Sequence, residues 1–320
     1  MQTLINKSRR AIVQSVWVLI GFSAVLSLAL CLPAGLAIAQ QSGQQTFASP
    51  GEAAEAMIAA AKADNTDTLM HIFGSGAKEV LSSGDPVADK NTRDRDVARY
   101  DEMHRLVKEP DGTVTLYMGA ENWPFPIPLV QKDNAWYFDT AAGKEEILFR
   151  RIGRNELATI DTCRAVADAQ KQYAGEPHDG EPAGEYAPKF VSDPGKHNGL
   201  YWKAAAGEAQ SPVGPLIVQA LSEGYGGKGP VPFRGYIYRR LEGQGADAPG
   251  GAKEYIVNGK KTGGFAFLAY PAEYRNSGVM TFIVNQDGIV YQKDLGPDTA
   301  NTAKSMTEFN PDKSWQPVQD

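Results

Sequence analysis

Hydrophobic spacing divides the chain into unlike stretches. An uncharged run over residues 11–32 follows Lys7, Arg9 and Arg10, and is closed by Pro33 and the small-x-small sequence Ala37-Ile38-Ala39. Basic, apolar and small-residue regions in that order read as an export signal over residues 1–39. The run is also long enough to span a bilayer, so an inner-membrane anchor over residues 11–32 is the alternative. A lipid-attachment site is disfavoured, because Leu30 stands before Cys31 where a small residue is wanted. Residues 40–48, rich in glutamine, predict a flexible tether. A helix then opens at Ser49-Pro50-Gly51-Glu52, with Ser49 as cap, Pro50 in the first turn and Glu52 closing a capping box. Ala53, Ala56, Met57, Ala60 and Ala61 form its apolar face. Helical spacing returns over 66–73 and over 94–107, the latter after a loop at 82–86.

The period then changes from helical to alternating. Residues 113–119, 127–131 and 135–139 read as strands, the last two joined by the turn Lys132-Asp133-Asn134. Pro124, Pro126 and Pro128 cannot donate in a ladder, which puts that segment at a sheet edge or a bulge. Residues 143–174 predict one long helix, with Leu157, Ile160, Cys163, Val166 and Ala167 on an apolar stripe. Glu146, Arg150 and Arg154 fall at i, i+4 and i+8 on another face, the spacing of surface ion pairs. Glycine and proline crowd residues 175–232, which predicts an irregular connection. Strands follow at 233–241, 254–257, 264–270, 279–285 and 289–293, with Asp287-Gly288 as a tight turn. Residues 265–268 and 279–284 are apolar on both faces, so this sheet needs cover on both sides, and the long helix is the cover expected for one. Residues 311–320 read as a tail.

The expected class is α+β, in two domains. Helices followed by an antiparallel sheet over residues 49–142 resemble the cone-shaped fold of nuclear transport factor two. The segments Arg150-Arg151-Ile152-Gly153-Arg154-Asn155-Glu156-Leu157 and Gly278-Val279-Met280-Thr281-Phe282-Ile283-Val284-Asn285-Gln286-Asp287-Gly288 resemble the secreted bacterial family known as domain of unknown function 2950. That resemblance covers essentially the whole exported chain and implies no activity. A second one covers the C-terminal half. A long helix ending in Ala165-Val166-Ala167-Asp168-Ala169-Gln170-Lys171-Gln172-Tyr173, a glycine-rich connection, Gly235-Tyr236-Ile237-Tyr238, and the strands from Phe265 and Gly278 are similar to the headgroup of type IV pilins and pseudopilins. Pilins carry an apolar filament helix directly before that headgroup. Here the first domain stands in its place, so filament assembly by the pilin route is not implied.

Composition narrows the class further. The 320 residues, 42% hydrophobic and 22% charged, exclude collagen, a disulfide-dense mini-protein, a long coiled coil and a wholly disordered chain. Acidic residues outnumber basic ones, 38 to 32, which argues against nucleic-acid binding. Removal of residues 1–39 leaves 29 basic residues against 38 acidic and a formal charge of −9. Cys31 leaves with that segment, so Cys163 stands alone and no intramolecular disulfide forms. Its place on an apolar stripe reads as a small buried hydrophobe rather than a nucleophile, and His71, His104, His178 and His197 show no spacing that marks a partner.

Several motifs touch on chemistry. Ser75-Gly76-Ala77-Lys78 and Lys261-Thr262-Gly263 match two of the three marks of penicillin-interacting serine enzymes, but the third is missing and the two fall in different domains. The run Gly224-Tyr225-Gly226-Gly227-Lys228-Gly229 lacks the serine or threonine, the strand and the helix of a phosphate loop. Asp85, Asp89, Asp94 and Asp96 lack calcium-loop spacing, and Arg93 and Arg95 among them read as a solvated charged surface. No cofactor or metal is expected. A pocket in the cone-like domain is expected to be lined by Tyr117, Trp123, Trp136 and Asp139, with Arg150 at its mouth, although aromatic residues more commonly fill cores. The expected role is a non-catalytic envelope module that binds an envelope protein or surface component. No nucleic acid is expected as partner, and membrane contact only through an uncleaved N-terminal segment. A hydrolase using the cone pocket and a pilus or secretion accessory protein are the alternatives.

Overall fold

A computed structural model describes residues 43–225 and 231–319. The export segment at 1–39, the start of the tether and Gly226–Gly229 of the glycine-rich run lie outside the described residues. Short-range chemistry starts each early helix. Ser49 Oγ accepts the Glu52 amide to begin α1 (Pro50–Lys62), and the Glu52 carboxylate accepts the Ala48 amide in return. Asn65 caps α2 (Thr66–Phe73), which is followed by the short α3 (Ala77–Leu81). Helix α4 runs over Pro86–Glu102, where spacing predicts residues 94–107. Asp85 Oδ1 accepts the Ala88 amide and Pro86 occupies the first turn, so the segment read as a loop is a cap-and-proline helix start.

The chain straightens after Met103 into β1 (His104–Lys108), which pairs antiparallel with β2 (Val114–Met118). Strands β3 (Trp123–Pro124), β4 (Leu129–Lys132) and β5 (Ala135–Phe138) complete the sheet in the order β1-β2-β4-β5, with β3 also on β2. Ala53 and Met57 of α1 and Leu69, Ile72 and Phe73 of α2 close over Leu116, Met118, Leu129 and Phe138 to form a first core.

Helix α5 (Thr140–Ala174) leaves this sheet, capped by Asp139, and serves a second core. Its C-terminal half lays Ile160, Cys163, Val166, Ala167 and Tyr173 against Phe267, Phe282, Val284 and Val290. Those residues come from a five-stranded antiparallel sheet of β6 (Tyr236–Leu241), β9 (Ala266–Pro271), β10 (Met280–Asn285), β11 (Val290–Asp294) and β13 (Gln316–Pro317). Its order is β13-β11-β10-β9-β6, and β13 draws the predicted tail onto its edge. The other face is covered by α7 (Thr299–Ser305) and a small sheet of β7 (Gly243–Gln244), β8 (Lys253–Glu254) and β12 (Glu308–Phe309), around Tyr255, Leu268, Ile283 and Phe309. Burial of β9 along its whole length follows from this double cover.

Within the glycine- and proline-rich connection, Gly214–Ser222 forms α6. Pro215 sits in its first turn, where a missing amide costs nothing. The whole of Gln40–Asp320 is one compact unit of class α+β. Among the described residues no helix is long and apolar enough to cross a membrane.

Two glycines of α5 separate packing from propensity. A Cβ at Gly143 would lie 2.7 Å from Ile127 Cα and from Pro126 O, whereas a Cβ at Gly153 would meet nothing within 4 Å. Gly153→Ala is expected to stabilise the protein by about 0.5–1 kcal/mol through helix propensity. Gly143→Ala is expected to destabilise it by about 1–3 kcal/mol through overpacking. Urea unfolding of both variants tests the opposite signs.

Candidate functional site

The first core does not close completely. Between its apolar base, α4 and the N-terminal half of α5 lies a cavity of about 410 Å³. Met57, Ile58, Leu69 and Phe73 form the base, and all four are buried. Helix α4 presents Ala88, Thr92, Arg95, Asp96 and Arg99, spaced so that they share one helical face. Helix α5 presents Ile147, Arg150, Arg151, Arg154 and Asn155 with the same periodicity. The two walls therefore bring arginines toward one space from opposite sides.

Their commitments differ. Arg93 pairs with Asp64 at 2.6 Å, and Arg150 with Glu146 at 2.5 Å. Arg151 is buried and donates to the carbonyls of Glu79 and Val80 and to Asn276 Oδ1. Arg99 lies 3.8 Å from Asp96, and Arg95 donates to Thr92 Oγ1 at 3.2 Å. Among the described residues, neither Arg95 nor Arg154 has a carboxylate at ion-pair distance. Burial holds the Arg154 guanidinium below the ordinary arginine range, and the charges of Arg95 and Arg151 push the same way against Asp96. Arg154 is nevertheless solvent-exposed, as a group is when its exposed surface faces into a concavity. Burial raises the Asp96 carboxyl above the usual carboxylate range, against the pull of Arg95, Arg99 and Arg154. Asp89 accepts the Ser83 amide through both oxygens, at 3.1 and 3.0 Å, and is thereby a structural carboxylate.

Trp123, on β3, organises the rim. The guanidinium carbons of Arg150 and Arg99 lie 4.5 and 4.7 Å from its ring centroid. Such contacts fix cations in place at about 0.5–1 kcal/mol each where exposed.

Of the residues expected at the pocket, the structure brings Trp123 and Arg150 together there. Tyr117 alternates away from the core on β2 and carries Arg105 over its ring at 4.7 Å. Trp136 packs against the first core, its backbone paired with Phe47. Asp139 caps α5 by accepting the Ala142 amide. Arg95, Arg99 and Arg154 also line the pocket, although spacing reads Arg154 as a surface ion-pair residue and Arg95 as part of a solvated charged surface, and does not single out Arg99. The signal is the i, i+4 pair Arg95/Arg99 together with Arg150/Arg154, visible once α4 begins at Pro86.

The lining includes no histidine, cysteine or lysine. Ser83 is buried and its Oγ accepts the Asp85 amide, while Thr92 Oγ1 donates to Ala88 O. No group of histidine, cysteine, aspartate or glutamate among the described residues is placed to hold a metal. Elsewhere, burial pushes the Cys163 thiol up to about 12, so no thiolate forms near neutrality. Ser75 and Lys78 are exposed, whereas Lys261 is buried beside the Glu185–Tyr186 segment of the other half.

Residues 44–318 match the family model described as Protein of unknown function (DUF2950). The chain belongs to that family. No curated protein and no solved structure matches it. In this family member the arginine-walled cavity and the helix α5 that carries half of it both lie inside the matched region.

Lys261 makes a measurable contribution of its own. Burial, with Arg240 adding repulsion, lowers its ammonium to about 8 from an ordinary 10.5. Between these values the unfolded chain binds the extra proton, so this group makes stability rise with pH over that window. Lys261→Met is expected to raise stability near neutrality by on the order of 2 kcal/mol and to remove that rise. Urea midpoints of both proteins from pH 7 to about pH 10.5 measure the difference.

Proposed function

We propose that the chain is an exported envelope protein that binds rather than transforms its ligand, and that the cavity between α4 and α5 is its binding site. The carrying observation is the pairing of a preformed apolar base with guanidiniums that lack carboxylate partners. The order of basic, apolar and small residues before Gln40 supports export. Likeness of the first half to the cone-shaped nuclear transport factor two fold agrees with this reading. So does likeness of the second half to a pilin headgroup, to which the packing of Ile160 and Cys163 on the sheet lends support. Both are scaffolds for recognition. The partner side is an envelope protein or surface component.

One observation favours the hydrolase alternative. Asp96, its carboxyl raised by burial and set among arginines, has the character of a general acid. Substrate turnover lost in Asp96→Asn would support it.

The test is a thermal-shift screen of residues 40–320 against anionic, neutral and cationic small molecules, repeated with Trp123→Ala. At least one class is expected to raise the midpoint, unconsumed, and the shift is expected to vanish in the variant. Hits that survive in the variant, or that are turned over, would overturn the reading. N-terminal sequencing of the envelope fraction is expected to begin at Gln40. A chain beginning before residue 11 and held in the membrane would establish the anchor instead.

A further inference from the structure

The chemistry of the cavity specifies a ligand class, an inference that rests on the binding function proposed above. We propose that the cavity takes a single-chain amphipathic anion, its carboxylate or phosphate head held by Arg95, Arg99 and Arg154 and its apolar body laid on Met57, Leu69 and Phe73.

Charge comes first. Six arginines line the space against two aspartates. Asp64 and Glu146 neutralise Arg93 and Arg150, while carbonyls and Asn276 occupy Arg151. Asp89 is held by the Ser83 amide. What remains is Arg95, Arg99 and Arg154 around the one carboxylate of Asp96. A concave site lined by more cations than anions is unfavourable: burial first, and then the charges of Arg95 and Arg151, hold Arg154 below its ordinary range. An anion relieves that repulsion and supplies the charge-assisted acceptors that two of the three guanidiniums lack.

Apolar surface comes second. A site for a free inorganic anion has no use for an apolar base, yet Met57, Ile58, Leu69 and Phe73 border this cavity. A volume of about 410 Å³ lies toward the small end of ligand sites, which suits one alkyl chain or a compact ring rather than a two-chain lipid. Preorganisation comes third. Trp123 stacks with Arg99 and Arg150, so part of the cationic wall is ordered before any ligand arrives.

The experiment is calorimetric titration of residues 40–320, which form one compact unit. Decanoate and decyl phosphate serve as amphipathic anions, decanol as the uncharged chain, and acetate and inorganic phosphate as heads without a chain, all below micelle formation. Decanoate and decyl phosphate are expected to bind, each at least about ten-fold tighter than its isolated head and than decanol, and more weakly as salt rises. The tighter of the two identifies the head as carboxylate or phosphate. Arg154→Gln is expected to weaken both by about ten-fold. Asp96→Asn, which removes the repelling carboxylate, is expected to tighten both by about three-fold. Arg154 is exposed and Asp96 half-buried, and an unchanged thermal midpoint verifies the fold of each variant.

Decanol binding as tightly as decanoate, or Arg154→Gln leaving decanoate unaffected, overturns the anionic class while leaving the cavity a binding site. Inorganic phosphate binding as tightly as decyl phosphate overturns the amphipathic part. Binding of none of these probes overturns the proposal outright. The wider binding function then stands or falls on the thermal-shift screen.

Discussion

One helix has to satisfy two cores, and most of the architecture follows from that demand. Helix α5 is 35 residues long, about 50 Å at the α-helical rise, which exceeds what either core alone can cover. Its first turns press Gly143 against Ile127, and its last turns lay Cys163 and Val166 on the C-terminal sheet. Between these stretches the helix carries polar residues, and three of them join the halves. Arg151 donates to carbonyls at the end of α3 and to Asn276 near β10. Asn155 donates to Ser277 O, and one oxygen of Glu156 accepts the amides of Val279 and Met280. A buried arginine is tolerable only when its donors are met, and here both nitrogens of its fork are.

The arginine-walled cavity is a by-product of the same arrangement. Helix α4 buries a single residue, Tyr100, and a helix so polar does not dock through an apolar stripe. It is held instead by side-chain ties: Arg93 to Asp64, Lys62 to Asp101, and Asn91 to the carbonyl of Glu223. Tyr100 anchors its C-terminal end in the first core, while Ala88, Thr92, Arg95 and Arg99 border the cavity. The opening is walled by what α4 and α5 present, and both present arginine. Like charges facing each other across a partly desolvated space cost stability. Arg151 escapes that cost by donating to two carbonyls and to Asn276, whereas Arg95 and Arg154 have no carboxylate at ion-pair distance among the described residues.

Much of this was legible along the chain, and the omissions have definite causes. The early caps, the long helix, the hairpin at Asp287-Gly288 and the doubly buried strands all rest on local signals, which the structure retains. Spacing alone misplaces the start of helix α4 because Asp85-Pro86 suits both a turn and a helix start, and only the partner of the Asp85 carboxylate distinguishes them. Strand β1 is exposed over most of its length and so carries no alternating pattern. Helix α6 is hidden by the glycines and prolines around it. At the site, Trp123 and Arg150 were readable as an aromatic and a cation near one another. Arg95, Arg99 and Arg154 were not, because a charged residue on a helix is ordinarily solvated. What makes them a group is the distance between two helices, which no spacing within either helix encodes.

That distance is set from the other half of the molecule. Asp85 is fully buried, and beyond capping α4 with one oxygen it accepts the Tyr225 hydroxyl at 2.9 Å and the Gly235 amide at 2.8 Å with the other. Gly235 has a φ of 81°, and a Cβ there would meet Asn155 Nδ2 of α5, so only glycine lets this amide approach. Asn276, already holding Arg151, donates as well to Ser82 O just before α4. Both walls of the cavity are thus referenced to the segment around β6 and β10 rather than to each other. A shift of the C-terminal sheet relative to α5 would move the root of α4 and change the spacing of Arg95 and Arg99 from Arg154. The two halves are in this sense one device, in which the second half sets the geometry that the first half presents.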